Sequence, residues 1–201
     1  SQLFNRMMNV SAVFFYSDRD DQQVLISTQV DPMDPNTFSF LTQNAAEGTN
    51  KGVELNLDME LSESVYFFSR FGLLQTDINN WKSRPDLEGR AQAHAPKKSF
   101  ALGINWSITD RASLSIDLVG KSSFYYSDSH DNQSSSYSLT NINYDYSIGR
   151  WTYSIWARNV FDEYYSVRGF YFGNEAPDFQ DTLYERHGDP KHLGFTARYD
   201  F

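Results

Sequence analysis

Phe100-Ala101-Leu102-Gly103-Ile104-Asn105-Trp106-Ser107-Ile108, then Thr109-Asp110-Arg111, then Ala112-Ser113-Leu114-Ser115-Ile116-Asp117-Leu118 is the stretch that decides the fold. Every even position from Phe100 to Ile108 is apolar, and the residues between them are small or polar. The same phase resumes at Ala112, Leu114, Ile116 and Leu118 after a three-residue turn. A period of two over this length is a strand signature, and two such runs around a tight turn make an antiparallel hairpin with one apolar face.

The pattern repeats on both sides. Val53, Leu55, Leu57, Met59 and Leu61 alternate with Glu54, Asn56, Asp58 and Glu60, and a strand through Val65, Phe67, Ser69, Phe71 and Leu73 follows the turn at Ser62–Ser64. Ile142, Tyr144, Tyr146 and Ile148 stand against Asn141, Asn143 and Asp145. Gly149-Arg150 turns the chain into Trp151, Tyr153 and Ile155. Leu193, Phe195, Ala197, Tyr199 and Phe201 alternate with Gly194, Thr196, Arg198 and Asp200. Near the start, Val10, Ala12, Phe14 and Tyr16 alternate less cleanly, because Val13 and Phe15 are apolar too.

The connections fall into two classes that alternate along the chain. Short ones lie at Leu61–Ser64, Thr109–Arg111 and Ile148–Arg150; long polar ones lie near Val30–Thr42, Asn79–Lys97, Ser127–Ser136 and Ser166–His192. In an up-and-down sheet all short turns then lie at one end and all long loops at the other. That asymmetry belongs to bacterial outer-membrane barrels. The expected fold is therefore all-β, an antiparallel up-and-down meander of about eight strands from a transmembrane β-barrel. A soluble sandwich also alternates, but it does not explain the sorting of turns. Trp106, Trp151, Tyr153, Tyr199 and Phe201 are placed near the short-turn end, and Tyr125, Tyr126, Tyr164 and Tyr165 near the other, as aromatic girdles at the lipid–water borders.

Composition narrows the function. The 201 residues carry 17 Lys and Arg against 26 Asp and Glu, a net charge of -9, which argues against a nucleic-acid surface. There is no cysteine, so disulfides and thiol chemistry are excluded. No apolar run approaches the roughly 18 residues of a membrane helix, and the first residues carry no signal-peptide pattern. The polar face of Glu54, Asn56, Asp58, Glu60, Ser113, Ser115, Asp117, Arg198 and Asp200 is expected to line the lumen, since a charge facing lipid at mid-depth costs a few kcal/mol.

Asn159-Val160-Phe161-Asp162-Glu163-Tyr164-Tyr165 resembles the Asn-Leu-Phe-Asp-x-x-Tyr segment near the end of TonB-dependent receptors. Gly188-Asp189-Pro190-Lys191 and the final strand to Phe201 resemble that family's Gly-x-Pro-Arg and terminal aromatic, with Lys191 in place of Arg. Gly52-Val53-Glu54 resembles its Gly-x-Glu segment, and Phe14-Phe15-Tyr16 followed by Asp20-Asp21-Gln22-Gln23 looks like the strand before it. Asn159, Phe161, Asp162, Tyr165, Gly188, Pro190 and Phe201 are thus the motif residues.

The resemblance implies that residues 1–201 are the C-terminal part of a receptor barrel, with plug domain and TonB box absent. The implied parent imports a scarce large solute, a ferric siderophore above all, across the outer membrane of a Gram-negative bacterium. Its implied partners are outer-membrane lipid, the plug and remaining strands, the TonB complex and, through the aromatic terminal strand, the barrel-assembly machinery. The segment alone is not expected to transport. A self-contained eight-stranded barrel with a structural or adhesive role is the rival reading.

No hydrolase, metalloprotease or phosphate-loop motif is present, so no enzyme and no cofactor is expected. Asp128, His130 and Asp131 are close in sequence, but a solvated loop tip explains them as well as a metal site does. The candidate ligand contact is the external segment holding Arg168, Phe170, Tyr171 and Phe172. Its aromatics suit stacking on an aromatic ligand group and its guanidinium suits a negative charge.

Overall fold

A computed structural model describes the chain except at 1, 4–6, 30, 32, 35–36, 83, 129, 174, 178–179 and 181, and the backbone alone at 2–3, 22, 24–29 and 38–46. Among the described residues the main body is one antiparallel sheet. Its strands are β1 (Gln2–Leu3), β2 (Met8–Gln29), β3 (Phe38–Ser62), β4 (Val65–Trp81), β5 (Lys98–Thr109), β6 (Ala112–Lys121), β7 (Tyr137–Ile148), β8 (Trp151–Arg158) and β11 (His192–Tyr199), side by side in that order. The expected meander is therefore present, with eight long strands and the two-residue β1. The edges do not meet: β1 stands at one end of the sheet and β11 at the other.

Register explains why these sequences alternate. One row crosses eight strands as Met8, Met59, Phe67, Ile104, Ile116, Ile142, Ala157 and Leu193, each directly opposite the next. The adjacent row reads Glu60, Tyr66, Asn105, Ser115, Asn143, Trp156 and Gly194. A slip of one residue in any strand would put its polar set among apolar neighbours, so the two faces fix the register. Leu102, Ile104, Trp106, Ile108, Ile116 and Ile155 are all exposed on the apolar face. A band of this size is covered by lipid in a barrel wall.

Several charges of the polar face are paired within it. Tyr66 Oη donates to Asp58 Oδ1 at 2.5 Å, and Arg70 Nη2 donates to the same oxygen at 2.5 Å. Asn141 Nδ2 donates to Asp117 at 2.7 Å; Asn143 and Ser154 donate to Asp145 at 2.6 and 2.5 Å. The Asn141–Asp117 and Ser154–Asp145 bonds cross strands, the Asn143–Asp145 bond runs along β7, and these three line a hollow between Asp117 and Thr196. Trp156 lies flat over Gly194, where a Cβ would come within 2.0 Å of the ring, so only glycine admits that close approach.

Several boundaries differ from the sequence reading. The Val30–Thr42 loop is shorter, because β3 already begins at Phe38, and β4 continues past Asn79 to Trp81. With 22 and 25 residues, β2 and β3 far exceed the roughly ten that span a membrane, so their hairpin stands about 40 Å beyond it. The segment read as a loop over Ser166–His192 contains a second sheet, β9 (Ser166–Phe172) paired with β10 (Thr182–His187). A long excursion folds back on itself because its backbone groups need partners, and Val167, Phe170, Tyr171 and Tyr184 favour strands.

Candidate functional site

Apart from Ala112 at the start of β6, the buried hydrophobic residues among those described gather at the long-loop end of the sheet. Ile78, Trp81, Leu87, Phe124 and Tyr126 are each at most 5% exposed, with Thr76, Gln92 and Ser134 buried beside them. A short 3-10 turn, Pro85–Leu87, delivers Leu87 to this core. Tyr125 and Tyr126 therefore do not form a lipid-facing girdle, a correction to their sequence placement: the loop packs them against its neighbours.

Three external segments lock together here. Arg90, its side chain only 11% exposed, pairs with Asp131 Oδ1 at 2.5 Å, donates to the His130 carbonyl, and stacks over the Tyr125 ring at 4.1 Å. Ala93 N donates to Asp128 Oδ1 at 2.6 Å, and His94 N to the Tyr125 carbonyl at 2.9 Å. Asp128 and Asp131 are thus engaged separately, and the His130 ring stacks on Tyr171 at 3.6 Å. Among the described residues no three acidic, His or Cys side chains converge as a metal site would need.

The β9–β10 hairpin docks on this assembly through one face. Tyr126 Oη donates to Glu185 Oε1, Ser166 Oγ donates to the same oxygen at 2.9 Å, and Tyr171 Oη donates to Asn132 at 2.6 Å. Tyr171, expected as a ligand contact, is therefore engaged in packing. Arg168, Phe170 and Phe172 alternate onto the opposite face. Register brings residues the sequence reading missed to the same face: Arg186 directly opposite Arg168, and Tyr184 opposite Phe170 with the rings stacked at 5.5 Å. Both arginines are exposed, and neither makes an ion pair among the described residues. Like charges directly opposite repel, so the two guanidiniums concentrate positive charge on this face of the hairpin. The only signal in the sequence was the alternation of Leu183-Tyr184-Glu185-Arg186, too short to stand out from a loop.

The docking bond has a two-sided pH dependence. Burial, then the bond to Glu185, pushes Tyr126 from 10.0 up to about 12. The bonds from Tyr126 and Ser166 hold Glu185 below its usual 4.5. A raised tyrosine stabilises the folded form below pH 10 and loses that contribution as pH rises through about 12. A lowered carboxyl stabilises it above 4.5 and loses that contribution as pH falls through its folded value. Protection of the hairpin amides, taken relative to their intrinsic exchange rate at each pH, is expected to be highest between these limits. Tyr126→Phe should abolish the alkaline limb; a persisting limb would assign it to another group.

The motif residues sort by role. Asn159, Asp162, Tyr165 and Gly188 meet at the foot of the hairpin, where Asp162 Oδ1 accepts from Lys191 N at 2.8 Å and Gly188 N donates to the Tyr165 carbonyl at 2.9 Å. Phe161, Pro190 and Phe201 are exposed, Phe201 beside the Tyr199 ring in an aromatic cluster with Trp151 and Tyr153 at the short-turn end.

Comparison with known proteins agrees with this architecture. Residues 2–160 match the family model described as TonB dependent receptor-like, beta-barrel. The siderophore receptor PiuA from Acinetobacter baumannii superposes with a TM-score of 0.72 at 15% identity, over 98% of this chain and 26% of that one. The ferric yersiniabactin uptake receptor FyuA from Yersinia pestis gives 0.78 at 16%, over 96% and 28%. The copper transporter OprC gives 0.75 at 14%, over 97% and 30%. No curated protein matches the chain. The chain spans between about a quarter and a third of the length of these structures. With an apolar face for lipid, a polar face within, sorted turns and a match over most of its length, the chain belongs to the TonB-dependent receptor β-barrel family of the Gram-negative outer membrane.

Proposed function

We propose that residues 1–201 form the C-terminal part of a receptor barrel whose parent imports a scarce large solute, a ferric siderophore first, by TonB-coupled transport. The plug, the TonB-contacting segment and the remaining strands belong to the rest of that parent, and this segment does not transport by itself. Its two unpaired sheet edges support this reading over a closed eight-stranded barrel of structural or adhesive role. Two similar structures are receptors for siderophores or their ferric complexes, which supports the solute class. The terminal Phe195, Tyr199 and Phe201 serve the barrel-assembly machinery in this reading.

The observation that carries the proposal is the Arg168–Arg186 pair beside the Phe170–Tyr184 stack. Two guanidiniums and two rings suit a planar, negatively charged aromatic ligand, with Phe172 extending the face. The test uses the full receptor and a ferric tris-catecholate, with a neutral ferric hydroxamate as control. Arg168→Ala with Arg186→Ala should weaken tris-catecholate binding at least about tenfold, the equivalent of one lost charged contact. Phe170→Ala should act in the same direction, and Tyr171→Ala should act through packing. Unchanged affinity in all variants would remove the hairpin from the ligand site.

A further inference from the structure

The β9–β10 hairpin pairs with no strand of the large sheet among the described residues. Its position is therefore set by its docking contacts and by its root. The root is organised around one side chain. Asn159 follows β8, is 4% exposed and has a left-handed φ of 46°. Its Oδ1 accepts from Glu163 N at 2.8 Å, while Nδ2 donates to the Glu163 carbonyl at 2.9 Å and to the Asp189 carbonyl at 3.1 Å. Its own N–H is taken by Asn141 Oδ1 at 3.1 Å. One amide thus joins the outgoing arm of the excursion to its returning arm, and its backbone ties both to β7.

The neighbours reinforce that junction. Val160 N donates to the Thr140 carbonyl at 2.9 Å. Asp162, also left-handed at 56°, accepts from Lys191 N on the returning arm at 2.8 Å. The Tyr165 ring covers Gly188 so closely that a Cβ there would come within 1.9 Å, and it packs tilted against the Tyr137 ring with centroids 4.4 Å apart. The hairpin begins at the next residue, Ser166.

We infer that Asn159 is a positioning residue: it fixes the angle at which the hairpin leaves the wall, and so the place of the Arg168, Phe170, Tyr184 and Arg186 face. The link to ligand rests on the function proposed above; the link to hairpin geometry does not. Asparagine is suited to the task because it tolerates left-handed φ and carries an acceptor and two donors on one short side chain. Aspartate keeps the acceptor and loses the donors. Glycine keeps the backbone and loses every side-chain bond. Alanine loses the bonds and strains φ.

The test uses the full receptor, with spin labels at Thr182 on β10 and Ser138 on β7, both exposed positions. This chain contributes no cysteine of its own to interfere with labelling. Pulsed electron resonance should give one narrow distance distribution in the parent and a broadened or shifted one in Asn159→Gly, with Asn159→Asp between them. The variants should assemble as heat-modifiable barrels, and half-saturation for ferric tris-catecholate should rise at least about fivefold with the maximal uptake rate unchanged. An unchanged distance distribution in both variants overturns the positioning role. A broadened distribution with unchanged half-saturation upholds it and overturns the ligand reading of the hairpin instead. Should Asn159→Gly fail to assemble, Asn159→Asp alone decides by the same distance.

Discussion

Ile116→Arg is expected to cost the folded barrel about 2–4 kcal/mol, while Ser115→Arg, one residue away, should cost less than about 1 kcal/mol. Ile116 sits in the middle of β6, between Ile104 and Ile142 in the apolar row. An arginine there faces hydrocarbon near mid-depth. Ser115 lies between Asn105 and Asn143 on the polar face, where a guanidinium meets water and amide groups. Two measurements are decisive: the urea midpoint of the full receptor in vesicles, and the fraction that migrates as a folded barrel. A larger loss for Ser115→Arg would invert the assignment of the faces.

The second large effect is expected at Arg90. Its guanidinium bridges loop 82–97 to loop 122–136 by donating to the carbonyls of His130 and Ser127 and by covering Tyr125. The ion pair itself contributes little, since Asp131 is 95% exposed. The carbonyl bonds are different, because truncation leaves them without a charged donor. Arg90→Met should cost about 3 kcal/mol in stability of the loop assembly, from charge-assisted bonds and one cation–π contact. Arg90→Lys should recover only part, because an ammonium cannot span the same carbonyls while lying flat on a ring. Limited proteolysis of the external loops reads the effect directly. Equal resistance in parent and Arg90→Met would show that apolar packing around Trp81 and Phe124 holds the loops alone.

How much was legible in the sequence follows from the range of the interactions. The hairpin from Phe100 to Leu118 was legible because its faces are clean and its turn is three residues long. The assignment of Glu54, Asn56, Asp58, Ser113 and Asp117 to one face followed from the same period. The full length of β2 was not legible, because Val13 and Phe15 blur the alternation in its first half and the polar run Asp18–Gln23 carries no apolar period beyond it. The loop core could not be read either: Ile78, Leu87 and Phe124 become neighbours only through contacts between separate loops. The β9–β10 hairpin was hidden by Gly169, Gly173 and Pro177, which read as loop punctuation. Arg168 and Phe170 stood out as residue types, but Arg186 and Tyr184 needed the register. Asn159 was recognised as part of a motif, and its work became visible only with its three side-chain bonds.

That this sheet is a membrane wall with its apolar row outside is tested most directly by a nitroxide scan of β5. Single labels from Phe100 to Ile108 in the full receptor, reconstituted in lipid, would be read for collision with oxygen and with a water-soluble nickel chelate. Oxygen accessibility should peak at 100, 102, 104, 106 and 108 and fall at 101, 103, 105 and 107, with the chelate never exceeding oxygen on the even set. A flat profile, or oxygen peaks on the odd set, would contradict it.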